Sequence, residues 1–206
     1  MNEGYSDVLD SIASSSPTPG GGSVAALTLA HAHSLAMMVA RLTEGRERWK
    51  DGHDAAASTL ASSMEGIRSA LLLAERDAEA FDDVMLAFRM PKGNPTEAEE
   101  RNQSIYSATL AAAITPLETA KEAVTLLCSL TELARYGNSN ALTDLAAAAE
   151  LANSAAYIAG LNVRINTDSI EGDEIDEIDL QIESLITQSS EVIEDIRAII
   201  SGRLGW

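Results

Sequence analysis

The sequence predicts an all-α fold, a largely antiparallel multi-helix bundle that forms a single domain over residues 1–206. Three observations indicate this class. Hydrophobic residues make up 46% of the chain but aromatic residues only 4%, and alanine is abundant, which favours closely packed helices over a sheet. Apolar residues recur at helical spacing in long segments, and no segment shows the alternation of a strand. Glycine- and proline-containing breaks separate these segments.

The predicted helices of the first half are bounded by such breaks. A short amphipathic helix is expected over residues 5–13. A nearly all-apolar helix is expected over residues 23–42, which places it near the centre of the bundle. The polar segment Glu44-Gly45-Arg46 ends it. A long helix is then expected over residues 54–88, because the proline-containing segment that follows cannot continue it.

The second half of the chain predicts three further helical stretches. The first covers residues 96–135, and Pro116 is expected to kink it into two segments. Gly137 is well placed as its C-terminal cap. An alanine-rich helix is expected over residues 141–165, and a last amphipathic helix over residues 175–200.

The segment Pro17-Thr18-Pro19-Gly20-Gly21-Gly22-Ser23 leads into the apolar helix. Three consecutive glycines exceed what a chain reversal needs, and Ser23 is a favoured residue for capping the helix. A bare backbone at a helix start presents unpaired N–H groups and the positive end of the helix dipole, which suits an anionic or carbonyl-bearing ligand. A tight connection that lets two helices pack closely is the alternative, and the residues alone leave both open.

The net charge of −18 argues against nucleic acid and anionic membranes as partners, since both repel such a surface. Nine of the fourteen basic residues fall between Arg41 and Arg101, where an anionic part of a ligand would have to bind. The single cysteine, Cys128, excludes an internal disulfide framework, and the N-terminus lacks a basic, apolar signal sequence. We therefore expect a cytoplasmic protein.

Metal and nucleotide sites of the common kinds are not predicted. His31 and His33 are two residues apart, which directs them to different sides of a helix, and His53 follows a polar break. The glycine segment follows no predicted strand and lacks the lysine of a phosphate-binding loop. No metal site is expected.

Asp77 stands out among the carboxylates. It lies in a stripe with Ala74, Phe81, Val84 and Phe88 at three- and four-residue spacing, which predicts an inward-facing row on the long helix. A buried carboxylate without a partner is costly, so Asp77 must be hydrogen-bonded, paired with an arginine or functional.

A second polar group consists of Asn138, Asn140 and Asp144 at the start of the fifth helix, where Asn140 could serve as a cap. Asn162 and Asn166 share one face at the far end of the same helix. Eighteen residues separate Asp144 from Asn162, or roughly 27 Å along a helix. The two groups therefore either serve different functions or meet across a subunit interface.

Seven segments stand in a characteristic order along the chain: Pro17-Thr18-Pro19-Gly20-Gly21-Gly22-Ser23-Val24-Ala25-Ala26, Leu42-Thr43-Glu44-Gly45-Arg46, Asp77-Ala78-Glu79-Ala80-Phe81, Arg89-Met90-Pro91-Lys92, Pro116-Leu117, Gly137-Asn138-Ser139-Asn140 with Asp144, and Asn162-Val163-Arg164-Ile165-Asn166. Together, over about residues 7–170, they resemble the cyclodeaminase family. This family includes the cyclodeaminase half of formiminotransferase-cyclodeaminase and stand-alone methenyltetrahydrofolate cyclohydrolases. Thr143 stands where serine is usual, and threonine rather than leucine follows Asn166.

The resemblance implies an all-helical, dimer-forming domain that acts on folate-bound one-carbon groups. Because the polar groups lie far apart along one chain, we expect a homodimer with its site near the subunit interface. We expect hydrolysis of 5,10-methenyl-tetrahydrofolate to 10-formyl-tetrahydrofolate, because no segment resembles the transferase that a cyclodeaminase would need. A formiminotetrahydrofolate cyclodeaminase that releases ammonia is the alternative, followed by a non-catalytic folate-binding or helical interaction module. No cofactor is expected beyond the tetrahydrofolate-derived substrate, with or without a polyglutamate tail.

The resemblance and the chemistry of the residues together assign expected roles. A carboxylate can act as base towards the attacking water and also stabilise a cationic substrate. We expect Asp77 or Asp144 to move protons and Lys92 to assist as donor or electrostatic partner. The expected substrate-binding residues are Pro19, Gly20, Gly21, Gly22 and Ser23 for polar groups of the folate, Asn138, Asn140, Asn162 and Asn166 for the pterin edge, and Arg46 or Arg89 for the glutamate tail.

Overall fold

Residues 3–206, which the computed structural model describes, form six α-helices and no strand. The predicted all-α bundle is thus confirmed. The helices are α1 (Glu3–Ile12), α2 (Gly21–Thr43), α3 (His53–Arg89), α4 (Pro95–Tyr136), α5 (Leu142–Thr167) and α6 (Asp173–Leu204), with short 3₁₀ turns at Glu47–Gly52 and Ser139–Ala141.

Helices α2 and α5 pack against each other at the centre, because both present small side chains. Ala26 and Ala36 on α2 and Ala152 and Ala155 on α5 are completely buried. By length and composition α2 could cross a membrane, but 61% of its most apolar window is buried among the other helices, as in a core helix. Its central position is the one that its apolar sequence predicts.

The remaining long helices enclose this pair. Helix α3 packs on α2, while α4 and α6 pack on α5 and on each other. Larger side chains fill the outer layers of the core, namely Leu127, Leu130, Leu133, Ile182, Ile193 and Ile196, all nearly or completely buried. The site described below lies where the start of α2 meets α3 and α5.

The corner between α4 and α5 is fixed to the C-terminal end of α2. The backbone N–H of Asn138 donates to Thr43 Oγ1 (3.0 Å) and its Nδ2 donates to the carbonyl of Leu42 (2.8 Å). The N–H of Asn140 donates to Asn138 Oδ1 (2.9 Å), so Asn138 and not Asn140 is the capping residue here. Arg203 at the end of α6 donates to carbonyls at the end of α4 (2.7 and 2.8 Å), which complements the negative end of that helix.

Two expectations about individual helices are corrected. Pro116 lies inside α4, but the helix is uninterrupted from Pro95 to Tyr136, so the two expected segments form one element. The inward stripe on α3 continues only as far as Asp77: Ala74 is buried, whereas Phe81 and Phe88 are 37% and 50% exposed. The start of α4 packs on this end of α3, where Arg101 lies over the Phe88 ring, but it leaves the phenylalanine side chains partly exposed. The spacing of apolar residues indicates an apolar face but not which element covers it.

Candidate functional site

A cavity of about 310 Å³ lies between the start of α2, the middle of α3 and the C-terminal part of α5. Its walls combine the glycine segment, one carboxylate, two asparagine side chains and several apolar groups. The lining residues are Pro17, Thr18, Gly20, Gly21, Gly22, Asp77, Phe81, Val84, Ala112, Asn162, Ile165 and Asn166. The structure thus brings Asp77, the glycines, Asn162 and Asn166 together at one place.

Asp77 is held by the first turn of α2. Ser23 Oγ donates a hydrogen bond of 2.9 Å to Asp77 Oδ2 across 54 residues of sequence. Ser23 is therefore not the helix cap that the sequence predicts; Gly20 occupies the N-cap position and caps with no side chain. The alternative of an arginine ion pair for Asp77 is also incorrect, because its partner within the described residues is the serine hydroxyl.

Gly22 is required by the approach of the Asp77 carboxylate. A Cβ at this position would overlap Asp77, only 2.6 Å from Cγ and closer still to Oδ1. At Gly21 a Cβ would lie 3.4 Å from Asn162 Nδ2, an ordinary contact. The close-packing explanation of the glycines is therefore the observed one: the bare backbone permits a close approach of α3, and the group that approaches is the carboxylate of Asp77.

The start of α2 provides electrostatic support for that carboxylate. The first intrahelical hydrogen bond joins Val24 N–H to the Gly20 carbonyl (2.9 Å), so the preceding N–H groups of the turn are not used within the helix. These groups and the positive end of the helix dipole favour a negative charge.

Two opposing effects set the protonation of Asp77. Burial raises the pKa of its carboxyl above the usual value, while hydrogen bonds from the hydroxyl and backbone N–H of Ser23 act to lower the pKa. Burial is the larger effect, so the net direction is upward. A carboxylate whose pKa is raised is a stronger base than an exposed aspartate.

The two asparagines line the cavity from α5, and Asn162 lies against Gly21 at the start of α2. Asn162 Nδ2 donates to the carbonyl of Ile158 (2.9 Å). Asn166 Nδ2 donates to the carbonyls of Ala112 on α4 (3.0 Å) and Asn162 (2.9 Å). These bonds fix both side chains on a rigid helix beside the carboxylate of Asp77.

Among the basic candidates, Arg89 lies nearest to this site. It lines a second cavity of about 380 Å³, which shares Pro17 and Phe81 with the first. Lys92 is exposed on the loop between α3 and α4, and Pro19, although next to the glycines, does not line the first cavity.

The remaining candidates lie at the other end of α2. Asn138 and Asn140 are held near Thr43, and Asp144 follows in the first turn of α5. Arg46 is exposed just beyond the end of α2. About 30 Å of helix separates this group from Gly22, so one chain does not bring the two groups together.

Several cavity residues were not identified from the sequence as site residues. Helical spacing did place Phe81 and Val84 on the stripe of Asp77, one and two turns further along α3, but they were interpreted as apolar packing residues and not as part of a site. Ala112 carries no signal of its own, but it lies four residues before Pro116, the position whose carbonyl a helical proline leaves unpaired.

Comparison with known proteins gives a consistent result. Residues 4–183 match the family described as formiminotransferase-cyclodeaminase. The methenyltetrahydrofolate cyclohydrolase of Methylorubrum extorquens is 31% identical over 206 residues, which cover 98% of each chain. The formimidoyltransferase-cyclodeaminase of Rattus norvegicus is 34% identical over 159 residues, 77% of this chain but only 29% of the rat protein.

The fold has a solved counterpart. The crystal structure of formiminotetrahydrofolate cyclodeaminase from Thermotoga maritima matches with a TM-score of 0.86 at 26% identity, covering 98% of this chain and 96% of that chain. The family match spans most of the sequence and the structural match nearly all of it. The chain belongs to the formiminotransferase-cyclodeaminase family.

Proposed function

We propose that this protein hydrolyses 5,10-methenyl-tetrahydrofolate to 10-formyl-tetrahydrofolate. The observation that carries the proposal is the partly buried carboxylate of Asp77, which has a raised pKa and lies in a cavity beside two fixed asparagines. The Methylorubrum extorquens relative, which is named as the cyclohydrolase, matches this chain over nearly its whole length.

The chemistry requires one base and a place for positive charge. Water attacks the amidine-like carbon of the cationic methenyl group, and Asp77 accepts a proton from that water as the C–O bond forms. The carbon–N5 bond then breaks as Asp77 returns this proton to N5 and the hydroxyl proton passes to solvent, and 10-formyl-tetrahydrofolate leaves. Before the attack, the negative charge of Asp77 stabilises the cationic substrate.

The lining residues fit the parts of a reduced folate. The asparagines of α5 offer hydrogen bonds to the pterin, and the apolar wall formed by Phe81 and Val84 suits its ring faces. The adjoining cavity leads to Arg89, whose charge suits a glutamate tail of one or more units. In this proposal the enzyme needs no cofactor besides the folate, and it acts in the cytoplasm.

Formiminotetrahydrofolate cyclodeaminase activity is the second candidate, favoured by the high structural similarity to the Thermotoga maritima protein of that name. In this reaction the folate's own N10 attacks the formimino carbon, and ammonia departs with a proton supplied by an acid. Asp77 would then act in both directions, first as base and then as acid.

An assay with two separate substrates distinguishes these activities. Purified protein should consume 5,10-methenyl-tetrahydrofolate, followed by the loss of its absorbance after subtraction of the uncatalysed rate. Release of ammonia from 5-formimino-tetrahydrofolate, with no enhancement of hydrolysis, would instead establish the cyclodeaminase. Binding of folate without turnover of either compound would contradict both and indicate a binding module.

We further propose that two copies complete one active site. Asp77 and Asp144 lie at opposite ends of the central helices, and a symmetric dimer can bring unlike ends together twice. In this arrangement Asp144 of one copy assists Asp77 of the other. In this proposal the substrate is a folate, and the partner is a second copy of this chain.

Mixing two inactive variants tests the shared site. Asp77→Asn and Asp144→Asn subunits, unfolded together and refolded, should regain about a quarter of wild-type activity, because half of the dimers are mixed and each contains one intact site. Each variant refolded alone is the control. No recovery on mixing, with mixed dimers verified by differential tagging, would contradict a shared site.

A further inference from the structure

Pro116 leaves one carbonyl of α4 without its helical donor. In a continuous helix the N–H of residue 116 would donate to the carbonyl of Ala112, but proline has no N–H and its ring crowds that carbonyl. A proline at this point weakens the helix. The position of this proline matters for the site, because the carbonyl that it frees belongs to Ala112, which lines the cavity that contains Asp77.

The freed carbonyl receives a hydrogen bond from the neighbouring helix instead. Asn166 Nδ2 donates to the carbonyl of Ala112 at 3.0 Å and to the carbonyl of Asn162 at 2.9 Å. An amide nitrogen has two hydrogens, and both are used here. Because carbonyl oxygens only accept hydrogen bonds, the atom of the Asn166 amide that faces both of them must be the nitrogen, and this determines the orientation of the amide.

The orientation determines which atom of Asn166 is left for a ligand. Its Oδ1 accepts no hydrogen bond from any side chain or backbone group in residues 3–206, and Asn166 lines the cavity. The wall that α5 contributes to the cavity therefore offers a fixed acceptor. With the opposite amide orientation it would offer a donor, and two oxygen–oxygen contacts would replace the hydrogen bonds.

We infer that Pro116 is a positioning residue: by freeing the carbonyl of Ala112 it fixes Asn166 so that the cavity presents a hydrogen-bond acceptor to an N–H group of the substrate. The inference rests on the proposed function for the identity of that substrate, a reduced pterin with N–H groups at its edge. The fixed orientation of Asn166 itself does not depend on it.

The test replaces Pro116 by alanine and uses Pro95→Ala as the matched control. Pro95 occupies the first turn of the same helix, where no helical hydrogen bond is lost, and it is exposed and outside the cavity. Alanine at residue 116 restores the N–H and relieves the crowding. We expect Pro116→Ala to unfold at a higher temperature than wild type, while kcat/KM falls about five- to tenfold, mainly through KM.

A substrate-free measurement follows Asn166 directly. In wild type its two side-chain amide protons should exchange slowly with solvent in ¹H–¹⁵N spectra, because both are hydrogen-bonded. In Pro116→Ala at least one should exchange faster, whereas Pro95→Ala should match wild type. Unchanged exchange in Pro116→Ala would overturn the inference, whether or not the folate is turned over.

The double variant shows whether Pro116 acts through Asn166. If it does, Pro116→Ala should change KM little in an Asn166→Ala background. A full additional effect in that background, or loss of activity that merely follows loss of stability, would contradict a positioning role. Absence of turnover in wild type with slow amide exchange would instead refute the proposed function and leave the role of Pro116 intact.

Discussion

Asp77 is the residue in which stability and function are most clearly opposed. Its pKa is raised in the folded protein relative to the usual value of 3.8, so the folded state binds this proton more tightly than the unfolded state. Stability therefore decreases as the pH rises through the interval between these two values. The ionised form of Asp77, on which the proposed role as base depends, is accordingly the form that is less favourable for folding.

Replacement of Asp77 by asparagine should separate the two properties. Activity should fall about 100-fold or more, because the base is lost, while the free energy of unfolding at pH 7 stays equal or rises. Asparagine Oδ1 can still accept the hydrogen bond from Ser23. Enzyme assays and urea unfolding provide the measurements.

Asp83→Asn is the control, because Asp83 is exposed on the same helix, outside the cavity. It should change neither property. Full activity of a folded Asp77→Asn protein would exclude Asp77 as the base.

His33 makes a separate prediction at the residue scale. Burial lowers its pKa from 6.5 to about 4, and the side chain fits against Gly66, where a Cβ would overlap the imidazole ring. Its Nδ1 is hydrogen-bonded to Ser63 (3.1 Å), and the adjacent groove contains Glu65 and Glu122. The neutral ring is the form compatible with the fold.

The sign of the pH effect follows. Below pH 6.5 the unfolded chain binds a proton at His33, whereas the folded protein does not bind it until about pH 4. The free energy of unfolding should therefore fall progressively from pH 6.5 to about pH 4. Urea unfolding across this range should show a smaller fall for His33→Gln than for wild type. His31→Gln, at an exposed position, is the control; an identical fall in all three proteins would contradict the assignment to His33.

At the scale of elements, Asn138 connects three helices through one side chain and its backbone N–H. Asn138→Ala removes the hydrogen bonds to the carbonyl of Leu42 and from the N–H of Asn140. Because Asn138 is buried, this should lower the free energy of unfolding by about 2–3 kcal/mol. Asn102→Ala, at an exposed position of α4, should have little effect.

Local opening of the corner between α4 and α5 can be measured by amide hydrogen exchange. Amides around Ser139–Ala141 and at the end of α2 should exchange faster in Asn138→Ala. A loss of activity without any loss of stability would instead indicate that Asn138 contacts substrate, as the family resemblance implies.

The boundaries of the helices were predictable because glycine and proline mark them. The observed α3 and α5 begin and end within a few residues of the expected positions, since the local chemistry of each break is contained in the sequence around it. The uninterrupted α4 was not predicted. The partner that accommodates its proline, Asn166, is fifty residues away in the chain.

The site was only partly predictable for the same reason. The sequence identifies Asp77 as a carboxylate at a position where an apolar residue is expected. Helical spacing does not identify the hydrogen-bond partner of Asp77, so Ser23 was interpreted as a helix cap. The hydrogen bond between them depends on how α2 and α3 cross, which is a property of the packed core. Gly22 could be identified as necessary only once the carboxylate was found beside it.

At the scale of the whole molecule, the second half of α3 presents apolar side chains to solvent. Leu86 is 59% and Phe88 50% exposed, on the segment that follows the site residues Asp77 and Phe81. A surface of this kind beside a site is typical of an interface between copies.

Leu86→Glu should therefore weaken the proposed dimer. We expect a shift towards the monomer in sedimentation velocity and a parallel loss of activity at low protein concentration, because burying a charge in an apolar interface is unfavourable. Leu180→Glu, at an exposed leucine of α6, is the control for a surface charge change. A dimer unaffected by Leu86→Glu would place the interface elsewhere.

The position of Asp77 over the first turn of α2 also decides which compounds the protein rejects. A glycine-rich helix start commonly attracts phosphate or sulfate. Here that attraction is already satisfied by a side chain of the protein, and the surface as a whole carries a charge of −18. This helix start is thus expected to repel phosphorylated metabolites, which a glycine-rich helix start without such a carboxylate would attract.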